Sequence, residues 1–193
     1  VSPGNLFPRP IPYMKKIPAE FPGVHGKYEA EASTREAWND VLHKKGTITI
    51  PAGCTVCVEI NAGEEMTGFL SLQLKQGAGV KILTSECYVE KEKGESDHPM
   101  RLPKKGDRCD WENGELNGYT DTYHVAGYGD AEQEEIYEPF WFRTFRFVRL
   151  EIRTAEEPLV VTGFDYMETG YPLEVKTKVE TSDESLKGVW DIS

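Results

Sequence analysis

Residues 117–152, NGYTDTYHVAGYGDAEQEEIYEPFWFRTFRFVRLEI, constrain the fold more than any other part of this chain. Residues 119–126 carry tyrosines and Val125 at period two. Residues 143–152 alternate Phe145 and Phe147 against Arg146, Val148, Leu150 and Ile152, which predicts a second strand buried on both faces. Gly127, Gly129 and Asp130 supply a turn between the two, and Pro139 directs residues 134–142 to a sheet edge or a bend, because proline has no N–H to give a ladder. The same period runs elsewhere. Val56, Val58 and Ile60 point inward from residues 54–60, and Leu70, Leu72 and Leu74 from residues 69–75. Further strands are expected over 47–50, 80–88 and 160–168. One apolar and one wet face per strand predict an all-β, antiparallel β-sandwich.

Around that body the composition changes. Residues 1–26 hold six prolines among short apolar residues, a composition for an extended strap. Residues 33–43 read as one short N-terminal helix: Ser33 and Glu36 form a capping box, Ala37, Trp38, Val41 and Leu42 share a face, and Gly46 ends it. The resulting organisation is a Pro-rich lead with a helix over 1–45, a β-sandwich domain over 46–170, and a linker over 171–193. In the last, residues 182–190 suggest a helix started by Ser182, whose Leu186, Val189 and Trp190 want another domain to cover them.

At 193 residues and 38% hydrophobic, the chain is long enough to bury a core. A formal charge of −11 argues against nucleic acid, whose phosphates are bound by clustered Lys and Arg; neutral ligands suit it better. No apolar run approaches the roughly 20 residues of a membrane span, residues 1–10 lack the regions of a signal peptide, and no Asn-x-Ser/Thr sequon is present. The expectation is a chain that stays in solution, away from membranes. Cys54 and Cys57 form C-x-x-C, but on a strand their side chains point to opposite faces roughly 10 Å apart, which forbids a bridge. Cys87 with Cys109 stays open as a pair against two free thiols.

Sugar recognition sets an aromatic ring against the apolar side of a pyranose, with carboxylates and amides around it for the hydroxyls. In the charged stretch 90–118, Trp111 stands beside Asp107, Asp110, Glu112 and Asn113 and supplies those groups; the competing reading has Trp111 anchoring its loop to the core. The same oxygens would suit calcium, although their spacing misses an EF-hand loop, and no cofactor is expected. Trp141 is read as core packing, and Glu132, Glu134 and Glu135 as a solvated run. His98 and His124 are read as structural. Arg143, Arg146, Arg149 and Arg153 are expected to pair with Glu across the sheet. No catalytic acid is assigned.

The order of these motifs resembles the concanavalin-like (jelly-roll) β-sandwich that precedes the catalytic domain of α-L-rhamnosidases of glycoside hydrolase family 78. Gly63, Gly68, Gly77, Gly79 and Glu86 match its glycine-punctuated strands, with Glu64 where the family has Gln. Thr120–Tyr123 match its T-D-T-Y, Tyr137–Phe140 its Y-E-P-x-F, and Thr144–Val148 its G-F-R-Y-V, with Thr144 for Gly and Phe147 for Tyr. The resemblance implies a non-catalytic sandwich whose partners are an (α/α)6 domain performing inverting hydrolysis and a rhamnose-containing glycan. The barrel's acid-rich segment would start shortly beyond a sequence such as residues 182–193. It also implies that Arg146 could lock the sandwich to the following domain through a carboxylate. The rivals are a free-standing carbohydrate-binding module or lectin, and the N-terminal piece of a nicked, active rhamnosidase.

Overall fold

The computed structural model describes residues 7–8, 10–28, 34–75, 79–91, 105–130 and 132–191. The chain divides into two compact units, Lys15–Gly170 and a smaller one made of Val1–Met14 with Tyr171–Ser193. In the larger unit lie strands β1 (Lys15–Glu20), β2 (Gly23–Tyr28), β3 (Ile48–Ile50), β4 (Thr55–Lys75), β5 (Gly79–Ser85), β6 (Tyr88–Glu90), β7 (Gly114–Leu116), β8 (Tyr119–His124), β9 (Glu135–Tyr137), β10 (Arg143–Arg153) and β11 (Leu159–Gly170), and helix α1 (Arg35–Leu42). The smaller unit contains helix α2 (Ser185–Asp191). The all-β antiparallel sandwich expected from the alternation is the fold observed, with a second short helix besides the N-terminal one.

Its construction rests on β4, a single strand where the sequence predicts two. Val56, Val58, Ile60, Leu70, Leu72 and Leu74 all face one core, because they share the parity of a period-two chain. The N-terminal half of β4 pairs with β2 and β10, and β10 continues through β5 to β8. The C-terminal half pairs with β9 and with β11, which also carries β1 and β3. The ladders thus form one nine-stranded network, doubled over so that both halves contribute to the same interior. Phe145 faces Met66 and Phe147 faces Asn61, so residues 62–65 lie across from Arg146 alone, a wide bulge in which Gly63 takes φ 90°.

That bulge corrects one expectation. Phe145 and Phe147 were expected on one face; both are fully buried, but the register shift sends Phe145 into the main core with Val148, Leu150 and Ile152, and Phe147 to the opposite face. The proline-rich lead differs too, since part of it is β1 and β2, paired strands of the main network. Helix α1 starts one residue later than predicted: Thr34 accepts the Ala37 N–H at 3.1 Å, and Ser33 lies outside the described residues. Trp38, Val41 and Leu42 are its buried face, and Lys44 at φ 55°, not Gly46, takes the left-handed position after it. At α2 the side-chain acceptor is Asp183, which receives the Ser185 N–H at 3.0 Å, rather than Ser182.

Candidate functional site

The outer face of β4 and β10 carries a buried polar cluster that alternation alone does not reveal. Glu59 and Arg149 are cross-strand partners. Arg149 donates to Glu59 Oε1 through Nε at 2.8 Å and through Nη2, and the Tyr88 hydroxyl donates to Oε2 at 2.7 Å. Burial, then the hydrogen bond and charge of Glu59, push the Tyr88 phenol well above its ordinary value. Burial opposes the Arg149 charge, but Glu59 outweighs it and holds the guanidinium above its usual range. His25 packs against Phe147 with ring centroids 4.9 Å apart, and its Nε2 lies 2.9 Å from the Cys109 carbonyl. Since a carbonyl only accepts, Nε2 carries the proton there.

Trp111 belongs to this cluster. It is half-buried against the group formed by Tyr88, Leu116 and Phe147. A Cβ on Gly26 would lie 2.7 Å from both Trp111 Cβ and Glu59 Oε2, so only glycine fits between them. The neighbouring carboxylates shape a turn. Asp107 accepts the Cys109 N–H at 2.9 Å, and Asp110 accepts the N–H of Asn113 and of Glu112 at 3.0 and 3.1 Å. The backbone N–H and side-chain amide of Asn113 hold the Asp110 carboxyl below its ordinary value. The structure therefore brings Asp107, Asp110, Glu112 and Asn113 together with Trp111 in sequence, but spends Asp107 and Asp110 on backbone N–H groups. Among the described residues no group of three or more His, Cys, Asp and Glu side chains is arranged to hold a metal ion. None of the four cysteines, all of them described, is in a disulfide.

Glu135 departs from the solvated run expected of it. It is 8% exposed and accepts hydrogen bonds from the Tyr123 hydroxyl and from the N–H of Ala126 and Tyr128 at 2.8 and 2.9 Å. Burial raises its carboxyl, but these donors more than offset that and hold it below the ordinary 4.5. Burial and then Glu135 push the Tyr123 phenol up to about 12. A depressed carboxyl contributes stability that is present above its unfolded value and lost as pH falls through the folded one. Protection of the Ala126 and Tyr128 amides, measured against their intrinsic exchange rates, is therefore expected to fall on acidification below 4.5, and in a Glu135→Gln variant to be lower already at neutral pH; unchanged protection in the variant would contradict this anchor.

Trp141, read from the sequence as core, is 64% exposed. It lines a cleft of about 630 Å³ with Tyr119, Phe142, Arg143, Thr84 and Ser85. The Trp141 and Phe142 rings stack at 5.7 Å and 8°, and Phe142 meets Phe69 edge-on at 6.0 Å. Arg143 donates to Asp121 through Nε at 3.1 Å and Nη2 at 2.6 Å, and lies 5.8 Å from the Tyr119 ring centroid. Asp121 sits on β8, two strands from β10, so this pair reaches over β5. Glu138–Phe142 connect β9 to β10 outside the ladders, which frees the aromatic side chains from the pleat.

The remaining residues are dispersed. Arg149 pairs with a cross-strand Glu as expected, but Arg143 pairs with an Asp and Arg153 with Glu151 of its own strand. Arg146 Nε is buried with no hydrogen-bond partner, and its guanidinium lies 5.3 Å from the Phe147 ring centroid. Leu186, Val189 and Trp190 of α2 are exposed. His98 is outside the described residues, and His124 is exposed at the end of β8. No helix among the described residues is long and apolar enough to cross a membrane.

No protein-family model matches the chain, and no curated protein does. Among solved structures it is similar to a family 78 rhamnosidase of Bacillus sp. GL1, at 19% identity and a TM-score of 0.53, over 84% of this chain and 15% of that one. It is also similar to a rhamnosidase from Klebsiella oxytoca with rhamnose bound, at 14% identity and a TM-score of 0.50, over 92% of this chain and 34% of the other. The chain thus spans a small part of the length of the rhamnosidases it matches. At these identities the likeness concerns architecture: the β-sandwich described above is one that rhamnosidases contain.

Proposed function

We propose that this chain is a non-catalytic β-sandwich of an α-L-rhamnosidase-like glycoside hydrolase of family 78, which scaffolds an (α/α)6 catalytic domain. The observation that carries the reading is the match of most of this chain to a minor fraction of a much longer rhamnosidase. The motif order of residues 120–148 supports it independently. A scaffold must present surface to its barrel, and Arg146 suits that role: it is half-buried with its guanidinium against the Phe147 ring, and a carboxylate of the following domain would pair with that charge. The exposed apolar face of α2 suits it as well.

The chain alone is expected to release no chromophore from 4-nitrophenyl α-L-rhamnopyranoside. Mixed with the isolated (α/α)6 barrel of a family 78 enzyme, it is expected to co-elute on gel filtration and to raise the barrel's melting temperature. Arg146→Met is expected to weaken that association. Turnover by the chain alone, or no association with such barrels, would overturn the reading.

A further inference from the structure

The aromatic cleft beside the N-terminal end of β10 has chemistry that scaffolding does not require. A tryptophan held 64% in solvent is costly unless something covers it, and Trp141 is not loosely placed: Phe142 stacks beneath it nearly parallel, and Phe69 braces Phe142 edge-on. One indole face is therefore presented in a fixed orientation, so the ordering cost of binding a flat apolar surface is met before the ligand arrives. Arg143 also lines the cleft, and its guanidinium is fixed by two hydrogen bonds that it donates to Asp121 and by the Tyr119 ring. Buried Thr84 and Ser85 also line it, and so do the exposed residues Glu86, Lys105 and Asn117, which give it a polar rim.

We infer that this cleft binds a neutral pyranose, with an apolar sugar face on the Trp141 indole and the ring hydroxyls directed to the Arg143–Asp121 pair and the polar rim. Three features select that class. The volume, about 630 Å³, falls in the range of small-ligand sites and suits one or two sugar rings. Among the described lining residues the charges are Lys105, Arg143 and Glu86, and Asp121 already pairs with Arg143, so no surplus cation stands free of an acid on a chain of net charge −11, which disfavours an anionic ligand. A fixed indole next to hydrogen-bonding groups matches a ligand that is apolar on one side and hydroxylated at its edge. Trp141 thus takes the part that the sequence assigns to Trp111, whose ring is committed to the cluster around Tyr88.

The inference stands apart from the scaffold role, because barrel association reads one and sugar titration the other. Isothermal titration of the whole chain with methyl α-L-rhamnopyranoside and methyl β-D-glucopyranoside is expected to give saturable heat with at least one of them. Trp141→Ala is expected to lower the association constant about ten-fold or more while leaving the thermal midpoint in place, since the side chain is mostly exposed. Trp141→Tyr is expected to retain most of the affinity, and Trp111→Phe to leave the heat signal unchanged. No saturable heat with either glycoside overturns the inference. So does a Trp141→Ala variant that binds like the parent chain, or one that loses association with a barrel or a second copy while the parent shows no sugar heat.

Discussion

Glu59→Ala is expected to cost about 3 kcal/mol of folding stability, a large part of what a domain of this size possesses. The carboxylate is fully buried and receives three donors: Nε and Nη2 of Arg149 and the Tyr88 hydroxyl. Its removal leaves the phenol without its acceptor and a guanidinium without its counter-charge. The Arg149 side chain keeps 22% of its surface in contact with solvent, which places the cost at the lower end of what breaking a buried pair entails. Urea denaturation would show a lower midpoint at an unchanged slope. A Glu59→Leu/Arg149→Met double variant is expected to recover much of the loss, because it removes both desolvated charges together. A single variant that unfolds like the parent chain would mean that the ion pair adds nothing net.

Phe145→Ala carries the second large effect, about 3–5 kcal/mol, from lost burial and the cavity left behind. Phe145 is fully buried at the centre of an aromatic set, 6.0 Å from Phe21 and 5.4 Å from Tyr166, with Phe21 stacked on Phe164 at 4.9 Å. These rings come from β10, β11 and the turn between β1 and β2, so they join chain ends to chain centre. They also sit beside the bulge, where backbone pairing is interrupted and cannot tighten to fill a void. Phe145→Leu should lose far less, because it conserves most of the volume. Thermal unfolding of both variants checks this; equal midpoints for Ala and Leu would refute the packing argument.

The parts of the fold readable from the string are those that obey one period without interruption. Leu70, Leu72 and Leu74 declare their face, as do Val56, Val58 and Ile60. What the string hides is a change of phase. The extra residues 62–65 join two predicted strands into one, and the single unpaired Arg146 moves Phe147 to the other face. No propensity marks that position, because a bulge is specified by the partner strand. Glu59 hides for a related reason: between Val58 and Ile60 it reads as the wet side of an alternating strand. Its cover is Tyr88, at the end of a predicted strand, and Trp111, from a segment that reads as polar loop.

The site shows the same limit from the opposite side. Trp141 precedes a strongly apolar strand, and proximity to such a strand argues for burial. Its exposure follows from where the connection after β9 leaves the ladder, a tertiary fact. Glu135 was indistinguishable from Glu132 and Glu134 by composition. The signal available was the turn marked by Gly127 and Gly129, in which the N–H groups of Ala126 and Tyr128 need an acceptor that a nearby carboxylate supplies.

Lys15 lies opposite Gly170, which makes β1 and β11 the first and last strands of the larger unit as well as neighbours. A ribosome must therefore emit almost the whole unit before β1 can be satisfied, and contacts of such long span fold slowly. During translation β1 is an unclaimed edge. Lys15, Lys16 and Pro18 guard it in that interval, since charge and a missing N–H both discourage a foreign strand from docking there first.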